Sequence, residues 1–141
     1  MDVIYSIGHS SRDIDDFIVS LQQHGITMVA DVRRHPVSRF EHFSRDELMD
    51  ALQRHGIGYA HLEALGAFRD EGYETWMTGA AWLQGYERLV ALARRHTTAF
   101  MCAERLPQRC HRRFIARRLA RDGWRVVHLI DRDAMQATLT P

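Results

Sequence analysis

Lysine is absent from this 141-residue chain, so all nineteen of its basic residues are arginine. That reads as a compositional bias of the genome rather than a functional choice, yet it has a chemical consequence. Arginine's planar fork binds carboxylate or phosphate through two parallel hydrogen bonds, which a lysine ammonium does not do. Cysteine is scarce as well: only Cys102 and Cys110 occur. A small secreted domain held by disulfides carries an even, dispersed set, so these two read as free thiols or ligands in a reducing compartment. No run nears the roughly 18 to 20 apolar residues that span a bilayer. Met1-Asp2-Val3-Ile4-Tyr5 has no basic stretch ahead of an apolar one. An excess of one charge is missing too, since the formal net charge is +1, which removes any general argument for nucleic acid or an anionic membrane as partner. These absences lead to the expectation of a cytoplasmic protein with no membrane partner. The length suits one domain, residues 1–141, with a core that needs no disulfide or metal staples.

What is present alternates between two periodicities. Val3 to Ile7 is a short apolar, β-branched run ending at Gly8-His9-Ser10, which reads as a strand and a turn. Ile14, Phe17, Ile18 and Leu21 recur at helical spacing behind Asp13, Asp15 and Asp16, and Gly25 stops the helix. Ile26 to Val32 predicts a second strand. Ser44-Arg45-Asp46-Glu47 has the form of a capping box, with Leu48, Leu52 and a closing Gly56 behind it. Gly58 to Leu62 predicts a third strand, and Leu65 to Gly72 a loop. Tyr73 to Arg95 is helical in pattern with a break near Gly79. Thr98 to Cys102 is a fourth strand, Cys110 to Arg121 a helix stopped by Gly123, and Arg125 to Ile130 a fifth strand. This alternation predicts an α/β fold: a mainly parallel five-stranded sheet flanked by helices on both faces, a Rossmann-like three-layer sandwich.

Ligands of open parallel sheets gather beyond the carboxyl ends of the strands. Ionisable residues collect at three such ends here: His9, Ser10 and Arg12 after strand one; Asp31, Arg33, Ser38 and Arg39 after strand two; Cys102, Glu104, Cys110, His111 and Arg112 after strand four. Placed at a helix start among arginines, Cys110 would have its thiolate favoured, and the free N–H groups there could hold an anion. Cys102 reads equally well as a small core residue at a strand end. Asp31 could orient Arg33, or the two could form a structural ion pair. His9 could act as a base, donate to an anion, or cap a turn. Cys102, Cys110, His111 and His9 do not have the spacing of a zinc module, so no metal site is assigned. Trp76, Trp82, Tyr73 and Tyr86 have the helical spacing of core residues rather than a base-stacking platform.

Several of these segments form one ordered set: Tyr5-Ser6-Ile7-Gly8-His9-Ser10, Asp31-Val32-Arg33-x-x-Pro36-x-Ser38-Arg39, Leu65-Gly66, and Met101-Cys102-Ala103-Glu104-x-x-Pro107-x-x-Cys110-His111-Arg112. Together they resemble the bacterial and archaeal domain-of-unknown-function 488 (DUF488) family. The resemblance implies an α/β fold and marks the motif residues as the site; it implies no particular reaction or cofactor. The family usually carries a second glycine after Leu-Gly, where this chain has Ala67. The Asp-Val-Arg strand end with a later strand-end cysteine also looks like rhodanese-type sulfur transferases. Glu104 and Pro107 follow Cys102 in place of their anion cradle, and a carboxylate there would repel an anion.

The reading that follows is an enzyme acting on a small anionic or nucleotide-like ligand. Cys102, Glu104, Cys110 and His111 are the candidate catalytic groups, and His9, Ser10, Asp31, Arg33, Ser38, Arg39 and Arg112 the candidate ligand-binding ones. No cofactor is implied. The alternative is a non-catalytic module that binds a ligand, a metal or nucleic acid, the last through the Arg117, Arg118 and Arg121 face.

Overall fold

The computed structural model describes residues 2–131 and 134–137. Its strands are β1 (Val3–Gly8), β2 (Met28–Asp31), β3 (Gly58–His61), β4 (Thr98–Cys102), β5 (Arg125–Asp131) and β6 (Ala134–Ala137). They form one sheet in the order β3-β2-β4-β1-β5-β6. The first five are parallel, as the alternation predicts, and β6 adds an antiparallel edge on β5. The run Ala-Met-Gln-Ala lacks the β-branched residues that mark a strand in sequence, so β6 went without a prediction.

Helices α1 (Ile14–Gln23) and α2 (Arg45–Arg54) connect strands that step one way across the sheet. The short α3 (Tyr73–Trp76), α4 (Ala80–Arg95) and α5 (Arg112–Arg121) connect strands that step back. Parallel crossovers are right-handed, so the two sets cover opposite faces. The core divides accordingly. Phe17, Leu21, Leu48 and Leu52 pack with Ile7, Val29 and Met101 on one face. Trp82, Leu89, Ile115 and Leu119 pack with Ile4, Phe100 and Val126 on the other. The direction of winding reverses at β4, which lies between β2 and β1, and a crevice opens at such a reversal.

Two local expectations need correction. Helix α5 begins at Arg112 and not at Cys110. Buried Pro107 opens a short 3-10 turn, Pro107–Arg109, after which Cys110 is extended at φ −138° and ψ 156°. Proline's fixed φ and missing N–H favour starting that separate turn. Ser44 does precede α2, but its side chain makes no cap. Its Oγ instead accepts from Ser38 N–H at 3.1 Å and donates to Ser38 O at 3.3 Å, tying down the loop after β2. The break at Gly79 separates α3 from α4 as expected.

Two glycines of the ordered set are required by close backbone approach. A Cβ on Gly8 would lie 1.8 Å from Glu104 O, and one on Gly66 would lie 2.4 Å from the backbone of Arg34. Each contact brings a loop against the carboxyl end of the sheet. No helix among the described residues is long and apolar enough to cross a membrane.

Candidate functional site

The loops after β1 and β4 are joined beyond the sheet: His9 N–H donates to Cys102 O and Ser10 N–H to Ala103 O, both at 2.9 Å. This continuation of the parallel ladder brings the first and last motifs together. Ser10 adopts φ 47°, a strained conformation for a residue with a side chain.

Beneath that junction lies Arg112, fully buried at 0% exposure. Its place follows from helix periodicity. Arg112, Ile115, Ala116 and Leu119 form the buried stripe of α5, whereas Arg113, Arg117 and Arg121 on the other side are exposed. The guanidinium donates from Nε to Cys102 Sγ at 3.0 Å and from Nη1 to Ser6 Oγ at 3.0 Å. Its Nη2 donates to Glu104 O at 2.6 Å and Arg105 O at 3.3 Å. None of these acceptors is a carboxylate, and a buried cation without an anion is costly. Among these acceptors, the Cys102 sulfur is the one that can carry a negative charge.

Cys102 and Cys110 are free thiols with their sulfurs 2.6 Å apart. Cys102 is 2% exposed and Cys110 9%. At that separation the protonation of each sulfur affects the other. A hydrogen bond donated by Cys102 pulls the Cys110 thiol far below its ordinary range, with His111 and Arg112 acting in the same sense against burial. Burial, and then the bond to Cys110, pushes Cys102 up. Within the pair the thiolate is therefore favoured on Cys110 over Cys102. The first free N–H of α5, that of Arg112, also points at Cys110 Sγ at 3.5 Å.

His111 lies against the same sulfur, with Nδ1 at 3.3 Å from Cys110 Sγ. Its other nitrogen, Nε2, donates to Val32 O at 2.9 Å, which fixes the ring and directs Nδ1 at the thiol. On the far side, Ser6 accepts from Arg112 and donates to His128 Nδ1. Burial, reinforced by the Arg112 charge, lowers the His128 pKa to about 4 and keeps it a neutral acceptor.

A second buried group abuts the first. Arg33 meets Asp31 through two parallel bonds, Nε to Oδ1 at 2.9 Å and Nη2 to Oδ2 at 2.7 Å. Its Nη1 donates to Phe43 O at 2.7 Å and faces His9 Nε2 at 3.4 Å. Tyr59 adds a hydroxyl to Asp31, and His61 Nε2 donates to Arg33 O at 2.7 Å. His9 donates through Nδ1 to Ser10 O at 2.9 Å and stacks on Phe43. Burial first, opposed by that hydrogen bond, lowers its pKa to about 4. Both of its nitrogens are thus engaged within the fold.

The candidate residues divide between two adjoining clefts that share Val37 and Ala103. Cys102, Glu104, Cys110, His111 and Arg33 line one of about 450 Å³. His9, Ser10, Ser38 and Arg39 line another of about 410 Å³. Asp31 and Arg112 lie below, out of reach of solvent. Glu104 is exposed on the cleft wall, and its backbone carbonyl, not its carboxylate, holds Arg112. Ser38 Oγ accepts from Phe40 N–H at 3.0 Å, and the Arg39 guanidinium lies over the Phe40 ring. Ala67 and Phe68 form part of the first cleft's wall, with Phe68 84% exposed at φ 63°. Among the described residues, no group of three or more histidine, cysteine or acidic side chains is placed to hold a metal ion.

Sequence reasoning marked Ser6 only as part of the first motif and gave no place in the site to Tyr59 or His128. The signal was there for two of them: Ser6 and His128 are polar residues inside otherwise apolar strands, and they pair across β1 and β5. Buried polar groups require partners, so two in register mark a network.

The fold and the site define an α/β protein with a dithiol and an arginine buried at the carboxyl edge of its sheet. The chain belongs to the DUF488 family: the family model described as Domain of unknown function DUF488 matches residues 13–119. That span takes in the motifs after β2 and β4 and begins just beyond the one after β1. Searches of the curated proteins and of the solved structures found no match.

Proposed function

We propose that this protein is an enzyme that acts on a small anionic ligand in the 450 Å³ cleft, with Cys110 as the nucleophile. The observation that carries this reading is the buried Arg112, whose Nε rests 3.0 Å from Cys102 Sγ with no carboxylate among its acceptors. A fixed cation with no carboxylate partner, beneath a pair of thiols, stabilises their thiolate form and draws a negatively charged ligand toward it. Cys110 would attack an electrophilic centre of that ligand, and His111 Nδ1 would hold or return the proton. Arg112 is then a positioning residue acting through the sulfurs. The exposed Arg109 on the cleft wall would meet the ligand's charge. Asp31 and Arg33, engaged with each other, would brace the loop after β2 and not touch ligand. Two reduced thiols suit a cytoplasmic location.

The experiment is a thermal-shift screen of small phosphates, carboxylates and nucleotides on the native chain and on Cys110→Ser. A compound that raises Tm of the native protein and loses most of that shift with the variant supports the reading. Equal shifts in both would move ligand recognition away from the sulfur.

A further inference from the structure

We infer that Cys102 and Cys110 act together as a dithiol in thiol–disulfide exchange, with a small-molecule disulfide as the substrate class. This rests on the reading of Cys110 as the attacking sulfur and extends it by giving Cys102 a chemical step.

The geometry separates the two sulfurs by role. Cys110 lines the cleft, and Cys102 lies behind it at 2% exposure with its sulfur 2.6 Å away. An incoming disulfide therefore meets Cys110 first, while Cys102 is already within reach of any mixed disulfide that forms. Arg112 Nε holds Cys102 in that place. A cysteine serving only as core filling needs neither the cation nor the contact.

The steps balance. The Cys110 thiolate attacks one sulfur of R–S–S–R; a Cys110–S–R bond forms, the R–S–S–R bond breaks, and one RS⁻ leaves. Cys102 gives its proton to that RS⁻, and its sulfur attacks Cys110 Sγ. The Cys102–Cys110 bond forms, the bond from Cys110 to SR breaks, and a second RS⁻ leaves. Two electrons pass from the protein's dithiol to the substrate, which becomes RSH and RS⁻. The oxidised protein has lost the anion beside Arg112, leaving a buried cation with only neutral acceptors. That favours return to the dithiol, so a small dithiol reductant reverses the step and completes the cycle.

The test uses oxidised glutathione and intact-protein mass spectrometry on the full chain, Cys102→Ser and Cys110→Ser, with Cys102→Ala as a second variant and circular dichroism to check folding. The expected result is that the native chain loses two hydrogens, retains no glutathione and returns to starting mass with dithiothreitol. Both Cys102 variants should accumulate one glutathione on Cys110, and Cys110→Ser should remain unmodified. A native chain that retains the adduct, while Cys110 still alkylates rapidly at neutral pH, overturns the dithiol role and leaves the nucleophile reading intact. An adduct on Cys102 of Cys110→Ser overturns the assignment of roles. Slow alkylation of Cys110 together with no reaction toward glutathione overturns both.

Discussion

Arg112 Nε approaches Cys102 Sγ at 3.0 Å where neither side chain reaches solvent appreciably. The contact couples the helix after β4 to the end of β4 itself, and the segment between them carries Glu104 and Cys110. Charge on the sulfurs and the position of α5 therefore depend on each other.

Replacing Arg112 by Met removes the cation and leaves Ser6 and the carbonyls of Glu104 and Arg105 without their donor. The expected cost is about 3 to 5 kcal/mol of stability. Urea unfolding monitored by tryptophan fluorescence measures it. In the same variant the pH midpoint for Cys110 alkylation should move up toward the ordinary thiol value of about 8.5. Arg112→Lys should restore part of the shift without restoring the fork.

Asp31→Asn should destabilise by a similar amount, about 3 to 5 kcal/mol, because it leaves the Arg33 charge buried without its two-bond partner. Tyr59→Phe removes only one hydrogen bond to that carboxylate and should cost about 1.5 to 3 kcal/mol. Chemical denaturation of both variants checks the ranking, and equal losses would contradict the assignment of Arg33 to a structural pair.

Acid should weaken the fold before its carboxylates titrate. His9 and His128 have pKa values near 4 in the native state against 6.5 for the free side chain, chiefly through burial. Between those values the unfolded chain takes up protons that the native one refuses. Their contribution is complete above about pH 6.5 and lost as pH falls toward 4, on the order of 3 kcal/mol for each histidine. Urea midpoints measured from pH 7 to pH 4.5 should fall, with a shallower slope in His128→Asn.

Much of the architecture was legible because apolar periodicity dominates it. Thr98–Cys102 reads as a strand and is one, and the helix ends at Gly25, Gly56 and Gly123 fall where glycine's positive φ ends a helix. The carboxyl-edge rule brought the three motifs to the same side of the sheet. Burial of charge was harder to see. Arg112 reads as a ligand-binding residue, although its spacing from Ile115, Ala116 and Leu119 places it in the core stripe. Arg33 reads as a ligand-binding residue, but its donors are directed at Asp31 and a carbonyl. Such pairings depend on side-chain direction across three elements, which no local pattern contains. The position of Cys110 just ahead of α5 depends on the turn begun by Pro107, and Ser44's bond to Ser38 on a loop path that spacing does not specify.

The most direct measurement is the rate of alkylation of each cysteine against pH, resolved by peptide mass spectrometry, with and without phosphate. Cys110 should react at a rate that stays nearly level from pH 8 down to pH 6, with Cys102 far slower, and phosphate should slow Cys110. If Cys110 instead titrates near 8.5 like a free thiol and phosphate leaves its rate unchanged, the sulfur pair holds no charge for Arg112 to stabilise, and the site is not built for nucleophilic chemistry.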